Sequence, residues 1–219
     1  GHYYTQNLPG LRAHELPHPD DPAPAPSDFL IEAVDPSGTL LPARLSVTLP
    51  QAGLARPACV AGEAIDLFSA PARSVPAGRA VLRASLRELP RRDDPDAAPR
   101  AAWAVLELRQ GAALLGRGLA DARGEALLPF PWPDPPNLPA GGSPFAHAWT
   151  LSLTVRYQAK ADPTALPDYC ALLAQPAAGI VTAFGAPPTT AAELTLTLNY
   201  GRALLAVSPG QRALYVQPA

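Results

Sequence analysis

Along much of the chain, apolar and polar residues alternate with the period of two that a half-buried strand demands. In ARLSVTLP (43–50), Leu45, Val47 and Leu49 share one face, and Arg44, Ser46 and Thr48 the other. AWTLSLTVRYQ (148–158) is the clearest case, with Trp149, Leu151, Leu153 and Val155 expected inward. RAVLRASLREL (79–89) sets Leu82, Ala84 and Leu86 against Val81, Arg83, Ser85 and Arg87, and WAVLELR (103–109) points Ala104, Leu106 and Leu108 inward. Further strands are expected within FLIEAVD (29–35), EAIDLFS (63–69), AALLGRGLA (112–120), EALLPFPWP (125–133), LTLTLNYGRALLAVS (194–208) and RALYVQ (212–217).

Turn chemistry punctuates these runs. Asp35-Pro-Ser-Gly38 suits a type I turn and joins the first two strands as a hairpin with a long connection. Asn199-Tyr-Gly201 and Ser208-Pro-Gly210 are expected to fold the last strands into a C-terminal β-meander. One stretch breaks the period: in LPDYCALLAQP (166–176), Leu166, Tyr169, Cys170, Leu172 and Leu173 fit a helical face, with Asp168 in the first turn. About ten short strands and one short helix near 167–175 predict an all-β fold, an antiparallel β-sandwich of transthyretin/Ig-like type. The expected core includes Leu45, Val47, Leu106, Leu108, Leu151, Leu153, Leu196 and Leu198.

Composition sharpens this picture. Proline supplies 29 of 219 residues, well above the usual level of about 5 per cent. Prolines between apolar runs mean short strands and stiff connections. Six of them fall from Pro9 to Pro26, so residues 1–28 read as an extended proline-rich arm ahead of a single domain over 29–219. Hydrophobic residues make up 47 per cent of the chain, too many for wholesale disorder. The 17 basic and 19 acidic residues are interspersed, so a nucleic-acid partner has no electrostatic support. No apolar run approaches the ~18 residues of a transmembrane helix, and GHYYTQNLPG lacks the features of a signal peptide. Gly1-His2 reads as a tag remnant, which leaves room for a leader removed ahead of it. Cys59 and Cys170 fit no zinc or redox motif. A disulfide is open to them, but two buried thiols in a cytoplasmic protein are the expectation.

GRGLADARGEALLPFP (116–131) raises the sharpest question, because a short polar centre sits between two apolar runs. Asp121 is suited to accept hydrogen bonds from the turn's own backbone, and Gly124 to take a positive φ. The pair is therefore read as a structural turn, since one carboxylate is too few for a calcium loop. The stretch AAWAVLELRQGAALLGRGLADARGEALLPFP resembles the carboxypeptidase regulatory-like domains, which share a transthyretin-like sandwich. Ala120 stands where that family has threonine, and Leu127 and Leu128 where it has an aromatic residue. The resemblance covers about a quarter of the chain and implies a scaffold, not a reaction. More broadly, LPGLR, DLFSAPARSVPAG and the closing strands resemble accessory proteins of contractile injection systems, the phage-tail-like bacterial machines. That resemblance implies a structural role among other subunits.

Candidate chemistry is sparse. His14, Glu15, His18, Asp20 and Asp21 form the one metal-like cluster, but Pro17 and Pro19 oppose the helix that would gather the histidines. Ser143 and His147 lack a nucleophile elbow. Asp93, Asp94 and Asp96 share a spacer with Arg91, Arg92 and Arg100 and read as a solvated loop. Gly116-Arg-Gly118 lacks the Lys-Ser/Thr of a phosphate loop. Cys170 lies on an apolar face with no activating cation. Trp103 and Trp149 are expected to pack the sandwich. Phe130, Trp132 and Phe145, in or beside the proline-rich loop 134–146, are expected to form an interaction surface with Trp132 as anchor. The expectation is a non-enzymatic cytoplasmic assembly or adaptor protein with protein partners, no cofactor, no metal and no membrane contact, a small-molecule ligand being disfavoured. The alternative is a carbohydrate- or peptide-binding module.

Overall fold

The computed structural model describes residues 25–49, 59, 65–89, 98–133 and 147–218. Twelve strands and one helix occupy them. They are β1 (Ser27–Ala33), β2 (Ala43–Leu49), β3 (Arg79–Glu88), β4 (Val105–Gln110), β5 (Ala113–Leu119), β6 (Glu125–Pro131), β7 (Ala148–Arg156), α1 (Tyr169–Leu173), β8 (Gly179–Ala183), β9 (Thr189–Ala191), β10 (Leu194–Asn199), β11 (Leu204–Ala206) and β12 (Leu214–Gln217). The fold is all-β and sandwich-like, as the alternation predicts.

One sheet has the order β10-β7-β4-β5, every pairing antiparallel. The other is built on β3, which pairs antiparallel with β6 along Arg79–Ser85 and leads through β12 to β8 and β9. Strict alternation makes the core between them. Ala80, Leu82, Ala84 and Leu86 of β3 meet Leu106 and Leu108 of β4 and Leu151, Leu153 and Val155 of β7 in one buried cluster. Of the expected core residues, Leu106, Leu108, Leu151, Leu153, Leu196 and Leu198 belong to it.

Strand β4 is buried on both faces. Its outward Val105, with Leu119 of β5, supports a second cluster in which Leu41, Leu45, Phe68, Trp103, Tyr169 and Leu172 pack. Val47 is only partly buried against this cluster. The β1–β2 hairpin and α1 thus form an outer layer. Asp168 joins them: its carboxylate caps α1 through the Cys170 and Ala171 amides and accepts the Ser46 amide of β2 at 2.7 Å.

Two expectations need correction. The C-terminal β-meander does not form, because β10 pairs with β7 whereas β11 and β12 both pair parallel to β3. The turns exist, with Gly201 and Gly210 at φ 72°, but the second leads out and back. The Ser208 amide bonds Ala213 O at 3.0 Å and its Oγ accepts the Tyr215 amide at 3.0 Å, so the chain resumes its former direction. A turn sequence specifies a reversal locally; the strand that receives the chain is a long-range matter. The strand expected over 63–69 is also absent from its described part. Ile65–Phe68 carry no ladder, and Ser69 makes a single bridge to Leu40. Residues 1–24 of the expected arm lie outside the described residues, and β1 already begins at Ser27.

Candidate functional site

The Asp121–Gly124 stretch is the corner where the chain passes from one sheet to the other. Asp121 Oδ1 accepts the Arg123 and Glu125 amides at 2.8 and 2.9 Å. Gly124 sits at φ +77°, and a Cβ there would lie 2.4 Å from Leu86 O. The Leu86 amide donates to Gly124 O at 2.7 Å, so the corner is sewn to β3. The preceding glycines serve a close approach: a Cβ on Gly116 or Gly118 would come within 3.1 Å of Leu128. Turn and packing chemistry account for the whole stretch.

Beside this corner lies a hollow of about 200 Å³ lined by Glu88, Arg100, Tyr157 and Lys160. Tyr157 is buried and its hydroxyl donates to the Glu88 carboxylate. Burial, then that hydrogen bond and the Glu88 charge, hold the phenol well above its ordinary range. A phenol so held stays a proton donor that fastens the end of β7 to β3, and makes a poor base.

The expected interaction surface is divided by the structure. Phe130 is fully buried in the central core and cannot be part of a surface. Alternation explains it: Ala126, Leu128 and Phe130 of β6 share the inner face. Trp132, just past the strand, is half-buried against that core. Its ring centroid is 5.9 Å from that of Trp149 and 5.0 Å from that of Tyr200. His147 meets Trp149 edge-on at 4.5 Å. Trp132 and Tyr200 are tilted by 37°, unlike the coplanar rings on which a sugar stacks, although Tyr200 is itself exposed. Phe145 and Ser143 lie outside the described residues, as do His14–Asp21 and Asp93–Asp96. Among the described residues no group of three or more His, Cys, Asp or Glu is placed to hold a metal ion.

Cys59 and Cys170 are joined in a disulfide, with Cα atoms 5.2 Å apart, in place of the two thiols expected. The outer layer brings them together: Cys170 lies on α1, and both cysteines pack against the second cluster. Trp103 belongs to the same layer, not to the space between the sheets, and adopts φ +62°, which a bulky side chain rarely does. Its indole donates to Pro163 O at 2.8 Å, and its carbonyl accepts Gln175 Nε2 at 2.9 Å. Gln175 is buried and also accepts the Gln158 amide.

The strand expected within 29–35 forms as β1 and pairs with β2; what sequence reasoning missed is that its apolar residues stay exposed. Leu30 and Ile31 are 49% and 47% exposed, and Val34 just beyond is 70% exposed. Neighbouring strand residues face opposite sides, so β1 presents apolar groups on both faces. Among the described residues it pairs only with β2. Its described span carries no proline, lysine or bulge, and its guarding charges are Asp28 and Glu32 alone. The signal was present in FLIEAVD, where two adjacent large apolar residues cannot both reach one core. Comparison with family models, curated proteins and solved structures gave no match.

Proposed function

We propose that this chain is a non-enzymatic assembly or adaptor subunit that docks onto other proteins of a bacterial multiprotein complex. The contractile injection machines that its sequence resembles are the leading setting. The observation that supports this reading is β1, an edge strand among the described residues, with exposed Leu30 and Ile31 on opposite faces. Such a strand gains on both faces when another strand is added to its edge. The occupant is an extended segment of a different subunit. Asp28 and Glu32 share one face of β1, so antiparallel pairing with a second copy would gather four carboxylates on it. A foreign segment carrying Lys or Arg there meets no such repulsion.

The disulfide bears on compartment. Disulfides persist in oxidising surroundings and are rare in a reducing cytosol. We therefore infer that the chain works outside the cytoplasm, against the expectation of two thiols in a cytoplasmic protein.

The test is the size of the protein taken from its native cells, comparing the parent chain with a Leu30→Glu/Ile31→Lys variant. The parent should travel in a complex with other proteins in fixed ratio, and the variant should run as a folded monomer. A parent chain that runs alone, or binds a glycan array through Trp132 and Tyr200, would overturn the reading.

A further inference from the structure

Between the 67–79 segment and the junction of β5 with β6 runs a groove of about 260 Å³. Arg73, Arg79 and Arg117 line it, beside apolar surface from the exposed Leu67 and the partly buried Pro129, and no acidic residue is among its lining. The three arginines come from separate places: a turn closed by the Arg73 amide on Ala70 O, the first residue of β3, and the middle of β5. In a chain of net charge −2, three guanidinium groups around one opening form a local positive field.

Two of the three are held in place. Arg117 donates from Nε to Glu107 Oε1 at 2.9 Å, which leaves its terminal nitrogens to other acceptors. Arg73 donates from Nη1 to the buried Ser69 Oγ at 2.9 Å. Among the described residues, neither Arg73 nor Arg79 has a carboxylate partner. Guanidinium groups that are fixed yet only partly used match the planar, two-point geometry of a carboxylate or phosphate.

We propose that this groove binds an acidic side chain of a peptide segment, with a neighbouring apolar residue resting on Leu67 and Pro129. Size favours a side chain over a free metabolite, because pockets that enclose a whole small molecule run to roughly 300–1,000 Å³. The site is independent of β1. It is tested on the isolated chain, so its failure would leave the strand-edge reading standing, and loss of assembly in the β1 variant would leave this site standing.

The experiment uses a fluorescein-labelled pentapeptide, glycine-glutamate-leucine-glutamate-glycine, its glutamine counterpart, and inorganic phosphate as a separate probe. The glutamate peptide should bind saturably, and binding should weaken as salt rises. The Arg73→Gln/Arg79→Gln variant should bind at least about tenfold more weakly, as expected for two lost charge-assisted hydrogen bonds. Arg212→Gln removes a charge elsewhere and should bind as the parent does. Unchanged thermal melting shows that the variants are folded. Equal binding of the glutamine peptide, equal binding by the double variant, or saturable phosphate binding without peptide binding would overturn the proposal.

Discussion

Phe130 and Trp132 lie two residues apart and differ in kind. Phe130 fills the central core, so Phe130→Ala should cost roughly 3–5 kcal/mol in urea unfolding. Trp132 rests half-buried on Trp149 and Tyr200 at the rim, and its loss should cost less than half as much. Equal costs would mean that the rim cluster is as integral as the core. Acid sensitivity also resolves to residues. Burial alone would raise the Glu107 carboxyl, but the hydrogen bond and charge of Arg117 bring it below its ordinary value. Burial likewise opposes, and the Ser46 and Cys170 amides outweigh it, at Asp168. Asp35 is lowered chiefly by Thr39 and Ser37, whose hydroxyls and amides donate to its carboxylate. A carboxyl held low in the folded state stabilises it above the unfolded value, about 4. That contribution is lost as pH falls through the folded value. Stability should therefore be level from pH 7 to about 5 and fall below about 4, and Asp168→Asn should flatten part of that fall. Urea melts at pH 7, 5 and 3 check this; rising stability toward pH 3 would contradict it.

At the scale of elements, the outer layer depends on covalent and capping chemistry more than on area. Helix α1 spans only Tyr169–Leu173, too short to persist without its Asp168 cap and the packing of Tyr169 and Leu172. The Cys59–Cys170 bond closes a separation of 111 residues. Reducing it should lower stability by up to about 5 kcal/mol if the unfolded chain gains the freedom of a loop that long. The melting temperature should fall in reductant and be unaffected by reductant in a Cys59→Ser/Cys170→Ser variant. An unshifted parent would show that the two thiols are not bonded in solution. How far elements could be read from sequence follows from the range of the forces that make them. The alternation in 79–89 and 148–158 marked β3 and β7 because burial on one face imposes a period of two. Asp168 marked the start of α1 because capping is local. The parallel docking of β11 and β12 on β3 was not legible, because three- and four-residue strands carry too little pattern to choose a partner. The coil at Ile65–Phe68 was read as a strand because its run is apolar, but only Phe68 is buried there, Leu67 is exposed, and no ladder forms.

For the whole molecule, the two-sheet core was legible, but what it presents to other molecules was not. The expected surface at Phe130 and Trp132 rested on tryptophan's frequency at interfaces, whereas side-chain direction along β6 puts Phe130 inside. The arginine groove joins residues 73, 79 and 117 across the meeting of two sheets, and no local pattern announces it. The apolar edge of β1 was written in the adjacent Leu30 and Ile31, but assigning the strand did not say that both faces stay exposed. We propose that β1 is an edge kept for another protein's strand. It is tested most directly by hydrogen exchange along Ser27–Ala33 in the free chain and in the assembly from native cells. The β1 amides that point away from β2 should exchange quickly in the free chain and become protected in the assembly, while the β3 and β7 amides stay unchanged. Equal exchange in both states, with the assembly intact, would contradict the claim.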